Sequence, residues 1–274
     1  MRTLSVSAEE AVAQSVRAVL GSLPRSFTAT SSPTAEVIVV GGGAGWPERA
    51  LRAVKRGPQS IMVLRPGFES PLSVRRLAEA SSDGSVPIML AEPWTCPSAV
   101  DAFAREHARQ RLDPAVLVEC VASLDAAPRE VFLAQLRLMR VALGCGMRID
   151  SFTSTGSAFL ISGETLYEDA AEPLLVVGNV RDRVAARLRR LSAHGESELC
   201  VYDGDLAAPA TGLVADAISE RRFPLVYESG HRTAWRRLRT SIDRAQSAPA
   251  EHAAGVQALR LLADDLDIVA ELPW

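Results

Sequence analysis

Residues 37–94 read VIVVGGGAGWPERALRAVKRGPQSIMVLRPGFESPLSVRRLAEASSDGSVPIMLAEPW and alternate between short apolar runs and helical patterns. Continuous apolar runs separated by helices are typical of parallel strands that are covered on both faces of a sheet. The stretch therefore predicts a β-α-β-α-β unit with a parallel sheet. The predicted strands are Val37–Val40, Ile61–Leu64 and Val86–Leu90, and the predicted helices are Pro47–Lys55 and Ser70–Ala80.

Three loops follow the carboxyl ends of these strands, and ligands of parallel sheets bind at such ends. The loops are Gly41–Gly45, Leu64–Pro66 and Ala91–Trp94. We therefore expect any site to lie there. The candidate catalytic residues are Arg65 and Glu92, and the candidate cofactor-binding residues are Gly41, Gly42, Gly43, Gly45 and Trp46.

Composition indicates an ordinary globular protein of 274 residues with 47% hydrophobic and 23% charged residues. A net charge of −3 gives no signal for nucleic acid. No apolar run approaches the roughly 20 residues that cross a membrane. The four cysteines show no CxxC spacing, which favours reduced thiols and a cytoplasmic location. Basic residues are almost all arginine, which suggests a bacterial source.

The remaining chain predicts further elements around this unit. Before it we expect a strand at Arg2–Val6, a helix at Glu9–Leu20 and a strand at Ser26–Thr30. After it come a helix, a strand, a second helix and a run of strands with turns between them, which suggests a mostly antiparallel sheet with one solvated face. The arginines at 187, 189 and 190 are expected on that face. The predicted elements are Ala99–Arg111, Ala115–Ala122, Arg129–Leu143, Phe152–Thr155, Ala158–Ser162, Pro173–Gly178, Arg183–Ser192, Glu198–Asp203, Phe223–Tyr227, Thr233–Gln246 and Ala250–Ala270.

The order of these patterns resembles the Gfo/Idh/MocA dehydrogenases, the glucose–fructose oxidoreductase and inositol dehydrogenase type. Residues 37–57 resemble that family's fourth strand, loop and helix, and residues 61–94 resemble its strand ending in Glu-Lys-Pro and the elements after it. Residues 131–144, VFLAQLRLMRVALG, resemble the helix that usually carries a catalytic histidine and aspartate. The resemblance implies a truncated Rossmann-like domain at 1–95 and an α+β domain at 96–274. It also implies a dimer formed through the second sheet, with a second copy or with an active paralogue.

The departures from the family pattern concern the groups that carry its chemistry. The first strand should run into G-x-G-x-x-G, whereas the turn here is Ser5–Glu10, with no glycine and two carboxylates. The family's lysine is replaced by Arg65, which does not readily transfer a proton. Aligned on Gly144, Ala134 replaces the histidine and Arg137 replaces the aspartate. We therefore expect a degenerate member that uses no dinucleotide or metal and acts as a partner subunit or small-molecule binder.

The glycine-rich loop supports an alternative interpretation. VIVVGGGAGW is similar to a dinucleotide fingerprint with glycines at 41 and 43, although the third position, 46, is Trp. An acidic residue that would bind the ribose is missing from the end of the next strand, where Arg65 stands instead; arginine is able to bind a 2′-phosphate, so NADP stays open as a cofactor. The chain would then be an NADP-dependent oxidoreductase, or a repurposed non-redox enzyme of bacterial specialised metabolism, with Glu92 as the acid or base.

Overall fold

The computed structural model describes residues 3–23, 25–84, 86–110, 114–180, 185–202, 210–216, 218–222, 229–245 and 250–274. The chain divides into two compact units. Unit 1 comprises Met1–Glu92 and His231–Ile268, and unit 2 comprises Pro93–Gly230 and Val269–Trp274. The division predicted from sequence places a boundary after residue 95. The grouping of 231–268 with unit 1 differs from the predicted division, which assigned this segment to the second part.

Unit 1 contains a five-stranded parallel sheet in the order β2-β1-β3-β4-β5. Every residue of β3 and β4 is buried, and this burial explains why both strands have continuous apolar sequences. The predicted α/β class with a parallel sheet is therefore confirmed. The strands are β1 Leu4–Ala8, β2 Phe27–Ala29, β3 Val37–Gly41, β4 Ser60–Leu64 and β5 Ile88–Ala91.

Five helices belong wholly or mainly to unit 1, and two of them come from the end of the chain. Trp235 is fully buried, and its ring meets Phe27 edge-on with centroids 4.9 Å apart. A Cβ on Gly255 would lie 2.7 Å from the Ile88 carbonyl oxygen, so this part of the last helix lies directly against β5. These contacts explain why 231–268 groups with unit 1. The helices are α1 Glu10–Leu20, α2 Trp46–Val54, α3 Pro71–Gly84, α6 Gly230–Ala245 and α7 Ala250–Ala270.

Unit 2 contains an eight-stranded sheet in the order β13-β12-β11-β10-β6-β9-β8-β7, which is antiparallel except for the β6–β9 pair. Burial alternates along the strands, so one face is covered and the other is open, as the sequence predicts. The sequence missed β12 and β13, and its strand at 223–227 lies outside the described residues. The elements are α4 Ser98–Gln110, β6 Ala115–Leu124, α5 Pro128–Leu143, β7 Gly146–Ser154, β8 Ala158–Leu166, β9 Ala171–Val180, β10 Ala185–Ser192, β11 Gly195–Tyr202, β12 Thr211–Asp216 and β13 Glu220–Arg222.

The expectation that Arg190 lies on the solvated face is wrong. The two-residue period of β10 places Arg190 on the same face as buried Leu188, and the Arg190 side chain is only 4% exposed. Its guanidinium pairs with the equally buried carboxylate of Glu172, with Nη2 2.5 Å from Oε1. The Ala115 N–H also donates to Glu172, at 2.8 Å. Arg187, at 46% exposed, does lie on the open face.

The buried ion pair has a defined electrostatic consequence. Burial by itself raises the pKa of the Glu172 carboxyl, but hydrogen bonds from Arg190 and the Ala115 N–H lower it by more. The net pKa therefore lies below its ordinary value of 4.5. Because the pKa is lower in the folded state, the stability that this pair contributes is present above pH 4.5. It is lost as the pH falls through the folded-state pKa.

We predict that Arg190→Met lowers the free energy of unfolding by about 3–5 kcal/mol at pH 7, because it leaves Glu172 charged, buried and unpaired. Urea titration measures this change. Arg187→Met is the matched control, and removing its exposed pair with Glu119 should cost less than about 1 kcal/mol.

The same comparison at acidic pH provides a second arm of the test. As the pH falls through the folded-state pKa of Glu172, which lies below 4.5, the carboxyl becomes protonated in wild type, so the stability difference between wild type and Arg190→Met should shrink. Equal losses for Arg190→Met and Arg187→Met, or a difference that does not change with pH, would contradict the assigned role of the buried pair.

Candidate functional site

The carboxyl edge of the unit 1 sheet contains a point where the strand order reverses. β1 pairs with β2 on one side and with β3 on the other. In open parallel sheets this switch point is where ligands bind. The residues that follow the two strands there are Glu9, after β1, and Gly42, after β3.

The carboxylate of Glu9 lies at this switch point. Its Oε2 accepts a hydrogen bond from the Gly41 N–H at 2.8 Å, and its own backbone N–H donates to the Val39 carbonyl at 3.1 Å. Glu9 stands at the N-cap position of α1, yet its side chain makes no capping bond to that helix. The side chain therefore reaches across to β3 and does not cap its own helix.

Arg49, on α2, holds both Glu9 and the glycine-rich loop. Its Nε donates to the two Glu9 carboxylate oxygens at 3.0 and 3.2 Å. Its Nη2 donates to the carbonyls of Gly41, at 2.7 Å, and Gly43, at 3.2 Å, and its Nη1 donates to the Ala44 carbonyl. Phosphate-binding turns direct backbone N–H groups toward an anion. Here several loop carbonyls converge on a cation instead.

The other end of the loop is tied to the segment after β4. The Gly45 N–H donates to the Glu69 carboxylate, and the Trp46 indole Nε1 donates to the Gly67 carbonyl at 3.2 Å. The Gly67 N–H donates to the Gly42 carbonyl at 3.0 Å. Trp46, proposed from sequence as a cofactor contact, is fully buried in this arrangement.

Arg65 and Glu92 follow adjacent strands, so the structure brings both predicted catalytic residues to one edge. The Arg65 N–H donates to the Ala91 carbonyl at 3.0 Å. Arg65 has φ of 53°, and it is the one non-glycine residue with positive φ in the described part of the chain. Such strain persists only where surrounding contacts impose it. Here Gly42 packs directly against the Arg65 carbonyl.

Two members of this network, Arg49 and Glu69, were missed by sequence reasoning. The sequence did contain a signal for Arg49. The Glu9 carboxylate is stabilised by a nearby cation, and Arg49 lies on the helix that follows the glycine-rich loop. Nothing local indicated Glu69, which is 24 residues from its partner.

Helix α5 of unit 2 contains the segment that, by sequence, resembles the helix carrying the catalytic histidine and aspartate in the Gfo/Idh/MocA dehydrogenases. Ala134 and Arg137 are three residues apart and share one face of this helix. Ala134 carries no ionisable group. Arg137 is buried, with 6% of its surface exposed. The helix therefore presents a methyl group and a guanidinium at the aligned positions.

The described ranges contain neither a candidate metal cluster nor a helix suited to crossing a membrane. Within those ranges no three or more His, Cys, Asp or Glu side chains come together to hold a metal ion. None of the described helices combines the length and the apolar character that crossing a bilayer requires.

No family model and no curated protein match the chain by sequence. Solved structures do match. KijD10, a 3-ketoreductase from Actinomadura kijaniata crystallised as a mutant with TDP-benzene and NADP, gives a TM-score of 0.74 at 8% identity, covering 98% of this chain and 97% of that chain. A putative myo-inositol dehydrogenase from Sinorhizobium meliloti 1021 gives a TM-score of 0.63 at 12% identity, and the match covers 97% of this chain and 88% of that chain. A super-repressor mutant of Gal80p from Saccharomyces cerevisiae gives a TM-score of 0.70 at 9% identity, and the match covers 98% of this chain and 95% of that chain.

These neighbours are of the Gfo/Idh/MocA type, and at such low identities the likeness shows the fold alone. The chain thus has the two-sheet fold of these oxidoreductase-like proteins, in agreement with the resemblance seen in sequence. The KijD10 structures contain NADP.

We predict that Gly42→Ala destabilises unit 1, because the new Cβ would lie 1.8 Å from the Arg65 carbonyl oxygen. The loss should be at least about 2 kcal/mol in the free energy of unfolding, measured by urea titration. Gly43→Ala is the matched control, since a Cβ there meets nothing within 4 Å and should cost less than about 0.5 kcal/mol. Equal effects of the two substitutions would show that the close approach to Arg65 is not a constraint.

Proposed function

We propose that this chain is an oxidoreductase-fold protein that does not perform dinucleotide-dependent hydride transfer and that acts as a partner subunit or small-molecule binder. One observation carries the proposal: the Glu9 carboxylate occupies the switch point between β1 and β3, bound to the Gly41 N–H and to Arg49. A dinucleotide would bring its pyrophosphate to this part of the fold.

The residues present do not fit a pyrophosphate at this point. The β1–α1 turn has no glycine to allow a close approach of phosphate to the backbone. A pyrophosphate would also compete with Glu9 for hydrogen bonds from Gly41 and Arg49. Each charge-assisted bond contributes about 1.5–3 kcal/mol, so replacing Glu9 carries a substantial cost.

The residues aligned with the family's acid–base groups support the same proposal. Arg65 holds its proton far more tightly than a lysine, so it is a poor proton donor to a substrate oxygen. Ala134 cannot shuttle a proton, because it has no titratable atom. On this alignment the chain lacks the groups that accompany hydride transfer in the family it resembles.

A second candidate is an active NADP-dependent oxidoreductase, or a repurposed non-redox enzyme, and two observations favour it. Structural neighbours include NADP complexes. Arg65 is exposed, and Glu92 follows the adjacent strand end, so a cation and a carboxylate occur at one edge of the sheet. In this alternative Arg65 would bind the 2′-phosphate of NADP and Glu92 would act as acid or base.

We predict that calorimetric titration of the purified protein detects no binding of NADH or NADPH up to about 1 mM, a threshold equivalent to roughly 4 kcal/mol of binding free energy. A micromolar dissociation constant for NADPH that is lost in Arg65→Ala but kept in Arg76→Ala would overturn the proposal and establish the alternative. Arg76 is a suitable control because it is exposed on α3.

For the partner, we propose a second copy of this chain, bound through the open face of the unit 2 sheet. On this face Arg189 pairs with Glu196 at 2.6 Å, and Arg187 pairs with Glu119 at 3.4 Å. Charges that are already paired cost less to desolvate than isolated ones, which lowers the cost of burying this face. Leu160, 46% exposed on β8, adds apolar surface. An active paralogue in place of the second copy is the alternative.

We predict a dimer by analytical ultracentrifugation at about 10 µM, a concentration suited to an interface of micromolar or tighter affinity. Leu160→Arg should shift the protein to monomer, because it places an unpaired charge within the apolar part of the face. Leu72→Arg is the matched control, at a leucine 56% exposed on α3 of unit 1. A wild-type monomer, or a dimer that both variants leave intact, would contradict the proposed interface.

A further inference from the structure

The groups that hold Glu9 form a recognition set for a carboxylate. The Gly41 N–H lies 2.8 Å from Oε2, and the Arg49 Nε lies 3.0 Å from Oε1 and 3.2 Å from Oε2. A backbone amide and a guanidinium directed at one planar carboxylate are the donors that proteins use to bind this group. The carboxylate they hold here belongs to the chain itself.

Glu9 is positioned so that it can leave without unfolding its surroundings. It precedes α1, has extended backbone angles of −58° and 147°, and makes no side-chain bond to the helix. The side chains of Arg49 and Glu9 are 28% and 29% exposed, so the contact is open to solvent on one side. Arg49 also donates from Nη2 to the Gly41 and Gly43 carbonyls, and these bonds do not involve Glu9, so we expect the guanidinium to stay oriented when Glu9 leaves.

We propose that the Gly41 N–H and the Arg49 guanidinium form a binding site for the carboxylate of a small molecule, and that Glu9 fills this site in the free protein. The inference rests on the proposed function, because it requires that no dinucleotide occupies the same loop. Glu9 is tethered beside the site, so its effective concentration is high. A ligand therefore needs further contacts at this edge to displace it.

Chemical rescue tests the site directly. Glu9→Ala removes the internal carboxylate and should lower Tm by about 5 °C, since a charge-assisted bond is lost. Sodium acetate at about 100 mM should recover at least half of this loss relative to sodium chloride at the same ionic strength, because acetate supplies the missing group at millimolar affinity. Wild type should show no such acetate effect, since Glu9 occupies the donors.

Two further variants control the experiment. Glu10→Ala removes a neighbouring exposed carboxylate that lies in the first turn of α1, and it should show no specific response to acetate. The double variant Glu9→Ala with Arg49→Met should lose the rescue, because one of the two donors is gone. If Glu9→Ala does not fold, Glu9→Ser serves in its place, since serine removes the carboxylate and is a favoured N-cap residue.

The outcomes separate this inference from the proposed function. Acetate stabilisation of Glu9→Ala or Glu9→Ser that requires Arg49 supports the proposal, because it shows that these donors bind a free carboxylate. An acetate effect no greater than that of chloride in the folded variant overturns it. Micromolar NADPH binding by wild type would overturn the proposed function, and it is measured independently of the rescue.

Discussion

The contact between the Arg49 guanidinium and the Glu9 carboxylate connects the end of β1, the loop after β3 and the first turns of α2. A glycine-rich loop leaves backbone carbonyls without strand or helix partners, and such groups must be satisfied when they are partly buried. Arg49 donates hydrogen bonds to the carbonyls of Gly41, Gly43 and Ala44 while it pairs with the Glu9 carboxylate. The Gly43 carbonyl also accepts from the Trp46 N–H at 3.1 Å. This one side chain therefore connects the β1 and β3 parts of the carboxyl edge of the unit 1 sheet.

That arrangement determines which backbone N–H groups at this edge are available to a ligand. In a dinucleotide-binding turn the backbone donors are left available for phosphate. Here the donors at both ends of the loop are used by carboxylates of the same chain, Glu9 at Gly41 and Glu69 at Gly45. The chain thus shares its fold with structures solved in complex with NADP, while two carboxylates of its own accept hydrogen bonds from this loop.

Unit 2 contains a buried charge pair that connects elements on the covered side of its sheet. Glu172 and Arg190 lie on the covered face of the sheet, and the Tyr167 hydroxyl lies 3.4 Å from both Glu172 Oε2 and His107 Nε2. This network links α4, β9 and β10. A half-satisfied buried network is destabilising, whereas a fully paired one restricts the chain to a single register. The open face of the same sheet carries its charges in solvent-exposed pairs.

The amino-acid sequence by itself determined the parallel unit of Val37–Leu90, the antiparallel sheet with one open face and the absence of a glycine turn after β1. Those features are local, because strand and helix periodicity report the burial of each element in turn. The resemblance to the Gfo/Idh/MocA proteins likewise rested on the order of local patterns.

Only the tertiary structure decided which groups meet. Arg49 and Glu9 are 40 residues apart, and their contact exists because β1 and β3 are neighbours in the sheet. Arg190 is buried because Glu172 lies across the covered face, a pairing that no local pattern contains. Segment 231–268 groups with unit 1 because Trp235 and Gly255 pack there. Strand order and packing set these contacts, and a sequence read element by element does not specify either.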